Sequence, residues 1–246
     1  MVETLLAYPK LVETVLSLFE LKFNPDIKNR ESAMTNHSAQ IKSEMEAVKS
    51  LNEDRVFTRI VECINATIRT NYFMEKRKAL CFKLKPETIS EMPLPLPFIE
   101  TFVFSIRVEG VHLRMSKVAR GGIRWSDRTE DYRTEVLGLM QAQDLKNAII
   151  VPDGAKGVFI PTLLAEFSTP EARYEEARSC YMIFIQSLLE ISDNYIEQEV
   201  AHPQRVLRYD EDDPYLVVAA DKGTAKFSDT ANAISRNFNF WLDDAF

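Results

Sequence analysis

The chain has 246 residues, of which 46% are hydrophobic, and its formal net charge is −7 at pH 7. This size allows one large α/β unit or two modest domains with a sizeable core. The negative charge argues against nucleic acid as the main partner, because phosphate neutralisation requires a basic surface. No apolar run approaches the roughly 20 residues of a spanning helix, and the N-terminus lacks a secretory signal pattern, so we expect no membrane association and a cytoplasmic location.

The first part of the chain has helical periodicity. Apolar residues at helical spacing predict one helix over residues 3–22 and another from Asn52 to about Asn71. The polar stretch between them, residues 30–50, indicates a solvated or loosely held helix. We therefore predict an N-terminal helical segment over residues 1–75 with a role in packing or assembly.

Residues rich in β-branched and aromatic side chains follow this segment. The runs 79–84 and 98–115 predict strands, with a hairpin turn at 108–111. Residues 129–143 then predict a helix. The short apolar run 147–152 predicts a strand that is buried on both faces.

The last third repeats this alternation of helix and strand. Ser168-Thr-Pro-Glu supplies an N-cap, an early proline and a capping-box glutamate for a helix to about Tyr195. Residues 214–220 predict a second buried strand, which is followed by a helix near Ser228. Residues 76–246 are thus predicted to form an α/β domain with a mixed sheet flanked by helices.

Three cysteines and two of the histidines give no sign of a metal centre. Cys63, Cys81 and Cys180 are odd in number and widely spaced, which fits neither a disulfide framework nor a zinc site. His112 and His202 have no partners at a recognisable ligand spacing. We interpret the cysteines as reduced thiols and the histidines as structural, and we expect no metal.

Glycine and basic residues are concentrated in the middle of the chain. Five of the seven glycines lie in the range 120–157, which indicates backbone that turns sharply or approaches a ligand closely. Arg120, Arg124, Lys146 and Lys156 surround these glycines. The stretch would suit a small anionic substrate, although a solvated charged face explains the composition equally well.

Lys156 and Asp221 each follow a predicted buried strand at a glycine-containing loop. Ligands of open α/β folds bind outside the carboxyl ends of strands, so the two side chains could face one cleft. A lysine and an aspartate together can move protons at a carbon bearing an amine or a carbonyl, while Arg120 and Lys146 hold carboxylates. Each residue also has a purely structural interpretation. Lys156 could be a surface lysine in a glycine turn, and Asp221 could be a helix-capping or turn aspartate.

Four motifs in this order resemble the large NAD-specific glutamate dehydrogenases of bacteria. The similarity extends from about Leu51 to Phe246. The motifs are Arg120-Gly-Gly-Ile-Arg-Trp-Ser-Asp-Arg, Glu130-Asp-Tyr-Arg-Thr-Glu-Val-Leu-Gly-Leu, Lys146-Asn-Ala-Ile-Ile-Val-Pro-Asp-Gly-Ala-Lys-Gly and Val218-Ala-Ala-Asp-Lys-Gly-Thr-Ala-Lys-Phe-Ser-Asp-Thr-Ala-Asn.

This resemblance implies oxidative deamination of L-glutamate to 2-oxoglutarate and ammonia with NAD as cofactor. It implies that Lys156 activates water and stabilises charge at the substrate's C2 oxygen, and that Asp221 exchanges protons with the nitrogen. Lys146 would bind the α-carboxylate. Arg120, followed by Gly121-Gly122, would bind the side-chain carboxylate. The fold would be the substrate-binding domain of an amino-acid dehydrogenase, and the full-length protein would be a homo-oligomer.

The cofactor site is expected to lie elsewhere. No Gly-x-Gly-x-x-Gly pattern follows a predicted strand, and the chain ends about where the dinucleotide-binding domain of the resembled family would begin. We therefore expect that domain to be absent from this chain and the fragment alone to be inactive.

Two positions depart from the resembled family's pattern. Val158 replaces the second glycine of Gly-Ala-Lys-Gly-Gly, and Asp153 places an anion where an apolar or small residue is usual. A valine restricts the backbone next to Lys156 more than a glycine does. These departures motivate an alternative, in which the chain is a non-catalytic glutamate or 2-oxoglutarate binding module or an inactive fragment.

Overall fold

The N-terminal part of the structure is helical. The computed structural model describes residues 1–146 and 153–246, with the side chains of these residues except 143–146 and 245. The single helix predicted over residues 3–22 is divided at Tyr8, because Pro9 lacks an amide hydrogen and disfavours helical backbone in the preceding residue. The first four helices, α1 to α4, are Val2–Ala7, Pro9–Phe23, Arg30–Met45 and Leu51–Ala66.

The helix predicted to continue to Asn71 is shorter than expected, since α4 ends at Ala66. Its last carbonyl groups meet Lys22 of α2, whose Nζ donates to the carbonyl oxygens of Ile64 over 2.9 Å and of Thr67 over 2.7 Å. A lysine in this position stabilises a helix C-terminus. The chain then enters the sheet as strand β1, Thr67–Thr70, which follows α4 directly. A domain boundary at residue 75 stays a prediction.

Within the described residues, seven strands form one mixed sheet in the order β1-β2-β3-β4-β6-β5-β9. Neighbours from β1 to β6 are antiparallel, whereas β5 is parallel to both β6 and β9. The predicted α/β class with a mixed sheet flanked by helices is confirmed. The strands are β1 Thr67–Thr70, β2 Leu80–Leu84, β3 Ile99–Phe104, β4 Val108–Arg114, β5 Ala119–Trp125, β6 Asp153–Pro161 and β9 Val217–Ala220, with a separate hairpin of β7 Asn194–Ile196 and β8 Glu199–Ala201.

Three further helices cover this sheet. Helix α5 is Tyr132–Lys146, α6 is Pro170–Glu190 and α7 is Ser228–Asn237. The α6 N-cap is Thr169, whose hydroxyl accepts from the Ala172 N–H over 3.2 Å. The helix therefore begins one residue later than a capping box of Ser168 and Glu171 predicts. The same helix ends at Glu190, short of the predicted Tyr195. Short 3₁₀ helices occupy Pro86–Thr88, Leu164–Glu166, Ala225–Phe227 and Asp243–Ala245.

The two faces of the sheet have separate cores. Phe159 and Ile123 pack with Phe184 of α6 and with α7 on one face. Val158 and Leu113 pack with α5 on the other face, while the N-terminal helices have their own apolar cluster. No helix among the described residues is both long and apolar enough to cross a membrane.

The predicted hairpin turn at residues 108–111 is wrong. Residues 105–107 make the turn, closed by a bond from the Ser105 N–H to the Val108 carbonyl over 2.8 Å. Gly110 lies inside β4, where an added Cβ would meet the Phe184 ring at 2.5 Å. The glycine thus permits close packing of helix α6 on the strand. A local sequence pattern cannot distinguish a glycine needed for close packing from one needed for a turn.

The predicted position of Lys156 and the predicted extent of the second buried strand need correction. The run 147–152 lies outside the described residues, and Lys156, expected beyond the end of a strand, lies within β6 opposite Leu113 of β4. The second predicted strand is reduced to Val217–Ala220 and forms the sheet edge, with Ala219 and Ala220 exposed. An edge strand has one unshielded side, which explains why it is not buried throughout.

Candidate active site

Three parallel strands bring the predicted catalytic residues to one face of the sheet. Arg120 of β5 is opposite Gly154 of β6 and Val217 of β9, and Ile123 is opposite Gly157 and Ala220. Because side chains alternate along strands, the face that carries Lys156 also carries the side chains of the even-numbered β5 residues. The face lies beside the beginning of α5.

Lys156 and Asp221 are in direct contact on this face. Lys156 Nζ donates to Asp221 Oδ2 over 2.8 Å, and the two side chains are 18% and 17% exposed. Partial burial by itself would raise the pKa of Asp221. Hydrogen bonds from Lys156 and from the Lys222 N–H, with the charges of Lys156 and Arg124, outweigh burial and hold the pKa of this carboxyl below its usual value.

The loop after β9 fixes the position of Asp221. Its N–H donates to the Thr224 hydroxyl over 3.0 Å, and that hydroxyl donates to the Ile123 carbonyl of β5 over 2.6 Å. Gly223 adopts a φ of +86°, a conformation that side-chain-bearing residues rarely take. The loop is thereby tied to the central strands, so the aspartate is held by backbone geometry as well as by its ion pair.

Gly121 and Gly122 lie in the extended strand β5, so of the two explanations for the clustered glycines the sharp turn does not apply here. A Cβ on Gly122 would come within 2.8 Å of Asp221 Cβ, and one on Gly121 would meet the Ala155 carbonyl oxygen at 1.6 Å. The first glycine therefore permits close strand packing. The second leaves room for the aspartate beside Lys156.

Arg124 and Glu135 join the pair, although the sequence reading gave Arg124 no separate role and did not select Glu135. Arg124 Nη2 lies 3.4 Å from Asp221 Oδ1, and its Nη1 donates to Glu135 Oε1 over 3.2 Å. The signal that could have identified Arg124 is its position two residues after Gly122, on the same face of β5. The resulting four charged groups, two cations and two anions, form one partly buried cluster.

Arg120 and Lys146, the two predicted carboxylate-binding residues, are outside the contacts of this cluster or outside the described side chains. Arg120 is exposed and donates to the Tyr215 hydroxyl over 3.4 Å, which leaves its positive charge available to an anion. Lys146 is the last residue of α5, but its side chain lies outside the described part of the structure. The structure thus brings together Lys156, Asp221 and Gly122, with Arg120 on the same strand as Gly122.

Both departures from the resembled family's pattern are accommodated by strand β6. Val158 is fully buried among Val111, Val136 and Met140, and its place in a regular strand does not require glycine-like backbone. Asp153 is exposed at the start of β6. Since it is three residues before Lys156, strand alternation directs the two side chains to opposite faces.

A buried ionic network lies away from this cluster. Arg69 donates to Asp193 over 2.9 Å, and Asp213 accepts from Lys83 over 2.7 Å and from Arg114 over 3.1 Å. Burial alone would raise the pKa of Asp213, but Arg114 and Lys83 hold it well below its usual range. Arg69 and Arg114 belong to stretches that also resemble the dehydrogenases, and their contacts here are within the protein.

The two histidines interpreted as structural make different contacts. His202 Nδ1 lies 3.0 Å from Asp193 Oδ1. With Asp212 these residues could approach one cation, but Asp193 already accepts from Arg69 and lies 3.5 Å from Arg208. His112 is buried in β4, and burial together with the nearby Arg114 charge lowers its pKa to about 3.

Comparison with known proteins identifies similar sequences. A family model described as the catalytic domain of bacterial NAD-glutamate dehydrogenase matches residues 40–246. An NAD-specific glutamate dehydrogenase of Halomonas elongata is 50% identical over 248 residues, covering 99% of this chain and 15% of the relative. The protein of the same name from Pseudomonas aeruginosa is 48% identical over 98% of the chain and 15% of its own length.

A third relative is more distant. The NAD-specific glutamate dehydrogenase of Mycobacterium tuberculosis is 45% identical over 97% of the chain, which covers 16% of that protein. The chain thus spans about 15% of the length of the first two relatives. The resemblance drawn from the four motifs is confirmed: the chain belongs to the family of bacterial NAD-glutamate dehydrogenase catalytic domains.

Proposed function

We propose that the full-length protein containing this chain oxidatively deaminates L-glutamate to 2-oxoglutarate and ammonia with NAD, and that Lys156 and Asp221 are its catalytic pair. The observation that carries this proposal is their 2.8 Å contact on one partly buried face of the sheet. A cation and a carboxylate in contact can exchange a proton through substrate or water placed between them. Family membership supports the choice of reaction.

The two residues have complementary roles in this proposal. The Lys156 ammonium stabilises negative charge that develops at the C2 oxygen and orients the water that attacks the imino acid. Asp221, whose pKa lies below its usual value, is ionised near neutral pH and accepts a proton from the substrate's ammonium group. The 2.8 Å contact with Lys156 places this carboxylate beside the residue that acts at the reacting carbon.

Substrate selection is assigned to the basic residues at the edge of this face. Arg120 binds the side-chain carboxylate and Lys146 the α-carboxylate, through charge-assisted hydrogen bonds. Gly121-Gly122 keeps the strand backbone close to its neighbours beside the site. Two cationic contacts at separate points favour a dicarboxylate over an apolar amino acid.

NAD supplies the hydride acceptor in the proposed reaction. The seven glycines of the chain do not include a Gly-x-Gly-x-x-Gly series, which is the phosphate-binding pattern of dinucleotide folds. Gly223 alone follows β9 before α7. We therefore assign no residue of this chain to NAD binding; its residues act on the substrate side of the proposed reaction.

Replacement of Lys156 by alanine in the full-length protein tests the proposal. NAD reduction with L-glutamate should fall about 10³-fold or more, because the variant loses the cation at the reacting carbon. Circular dichroism should stay unchanged. Lys85→Ala is the matched control, since Lys85 is a partly exposed lysine paired with Glu87. Near-normal turnover of the Lys156 variant would contradict the proposal.

The alternative of a non-catalytic binding module is addressed by calorimetry on the 246-residue chain. Binding of glutamate or 2-oxoglutarate, together with inactivity of the full-length protein, would favour it. The two departures from the family pattern do not favour this alternative, because Val158 packs in the core against α5 and the exposed Asp153 is directed to the opposite face from Lys156. The catalytic reading is therefore better supported by the geometry.

A further inference from the structure

The two oxygens of Asp221 have different neighbours. Oδ2 accepts from Lys156, the residue proposed to act on substrate. Oδ1 accepts from the Lys222 N–H over 2.7 Å and lies 3.4 Å from Arg124 Nη2. When Lys156 turns toward a bound substrate, the contacts at Oδ1 are those that keep the carboxylate in place.

Arg124 is itself fixed by a chain of contacts to helix α5. Its Nη1 donates to Glu135 Oε1 over 3.2 Å, and Glu135 Oε2 accepts from the Ser126 hydroxyl over 2.7 Å. Ser126 is buried, and its N–H donates to the Phe159 carbonyl of β6 over 3.1 Å. The carboxylate of Glu135 is thus held at both oxygens.

The guanidinium of Arg124 depends on these contacts for its orientation. Arg124 and Glu135 are 19% and 14% exposed, and within the described residues Arg124 Nε is buried with no hydrogen-bond partner. Among the described residues, its side-chain contacts are made by the two Nη atoms, one toward Glu135 and one toward Asp221. Removal of either contact leaves the planar group free to rotate away from the aspartate.

We propose that Arg124, held by Glu135 and Ser126, is a positioning residue that orients the Asp221 carboxylate for proton transfer. It acts through Asp221 and not on the substrate. This inference rests on the proposed function, because it assumes that Asp221 takes part in the reaction. The contacts Glu135–Arg124–Asp221 thereby connect helix α5 to the reacting atoms.

The first test replaces Arg124 by methionine and by lysine in the full-length protein. With methionine, kcat should fall about 10- to 100-fold, since a small misplacement of a catalytic group has an effect of this size. The KM for glutamate should change by less than about threefold, because substrate binding is not altered. Lysine keeps the charge and should recover part of the lost kcat.

A double-mutant cycle with Glu135 separates positioning from a general structural effect. Glu135→Gln alone should lower kcat by a smaller factor than Arg124→Met. Combined with Arg124→Met it should cause no further loss, because Glu135 acts only through the arginine. Independent losses that multiply in the double variant would overturn the proposal. Glu135→Gln also keeps the test available if Arg124→Met does not fold.

Arg133→Met is the matched control. Arg133 also forms an arginine–carboxylate pair, with Glu100 over 2.6 Å at similar burial, but this pair does not contact Asp221. Its replacement should leave kcat within about twofold, as expected for a contact outside the reacting groups.

Two outcomes distinguish this proposal from the proposed function. Full turnover in Lys156→Ala would sink the catalytic assignment and the positioning role with it. Loss of turnover in Lys156→Ala, combined with an unchanged kcat in Arg124→Met, would overturn the positioning role alone.

Discussion

Lys156 Nζ donates to Asp221 Oδ2 over 2.8 Å although 65 residues separate them in the chain. One residue lies inside β6 and the other directly after β9, and β5 lies between these strands. Gly122 of β5 makes the contact possible because it has no side chain next to Asp221. The candidate active site is thus a property of three strands in register.

Replacement of Asp221 separates charge from position. Asp221→Asn keeps the size and one hydrogen-bond acceptor but cannot take a proton, so kcat should fall about 10²- to 10⁴-fold. Asp221→Glu restores the carboxylate at a displaced position and should recover part of this loss. Steady-state NAD reduction measures both variants. Equal activity of the wild type and Asp221→Asn would exclude Asp221 as a proton acceptor.

The three glycines 121, 122 and 138 offer a graded test of packing around the site. Gly122→Ala should displace Asp221 and lower kcat, while Gly121→Ala should destabilise the fold because its Cβ would collide with the Ala155 carbonyl. Gly138 of α5 has nothing within 4 Å of an added Cβ. Gly138→Ala should therefore keep activity and raise the free energy of unfolding by about 0.5–1 kcal/mol.

Activity assays measure the effect of the three glycine replacements on kcat, and urea unfolding measures their effect on stability. A Gly122→Ala variant with normal kcat would show that the aspartate can move without consequence. Destabilisation by Gly138→Ala would contradict the open surroundings of that helical position.

Arg120 should determine the preference for a dicarboxylate. Arg120→Met removes the exposed cation on β5, so the KM for glutamate should rise about tenfold or more, in line with a lost charge-assisted hydrogen bond. The kinetic ratio kcat/KM for glutamate against norvaline, an apolar amino acid of similar length, should shift toward norvaline. Arg128→Met, which loses an exposed arginine paired with Asp131, is the control. An unchanged ratio would exclude Arg120 from substrate selection.

Val158 tests whether the departure from the resembled family's pattern affects catalysis. Val158→Gly removes a fully buried side chain from the core beneath α5. It should lower the free energy of unfolding by about 2–4 kcal/mol without raising kcat. An increase in turnover would instead indicate that the valine restricts the site, as the sequence alone suggested.

His112 should make the protein less stable at mildly acidic pH. Its pKa is lowered from 6.5 to about 3 by burial and by the Arg114 charge, so between these values the unfolded chain binds the proton that the folded chain excludes. Stability from the buried neutral imidazole is present above pH 6.5 and is lost as pH falls. The expected loss is about 1 kcal/mol between pH 6 and pH 5.

Urea unfolding across this pH range measures the effect. His112→Gln should flatten the dependence, because an amide does not titrate. His37→Gln is the control, because His37 is a partly exposed histidine on α3. This variant should keep the dependence of stability on pH that His112 causes. An identical slope in wild type and His112→Gln would rule out this histidine as the cause.

Local sequence patterns sufficed for much of the fold. Periodicity placed most helices, the segment Ser168-Thr-Pro-Glu correctly indicated the start of α6 to within one residue, and residues 98–115 correctly indicated strands β3 and β4. The motifs identified the family and nominated Lys156, Asp221 and Arg120. Motifs and periodicity are short-range properties, and each can be read without knowing which strands are neighbours.

The tertiary structure decided what those residues contact. A turn was predicted at Gly110, and a turn or a close approach to a ligand at Gly121 and Gly122, yet each glycine lies in a strand where close packing excludes a Cβ. Arg124 joined the site because β5 lies between β6 and β9, and Glu135 joined it because α5 packs on the same face. Strand order and register depend on pairings between distant segments, so no local periodicity encodes them. The sequence alone thus determined the chemical groups and the family, while the sheet determined their partners.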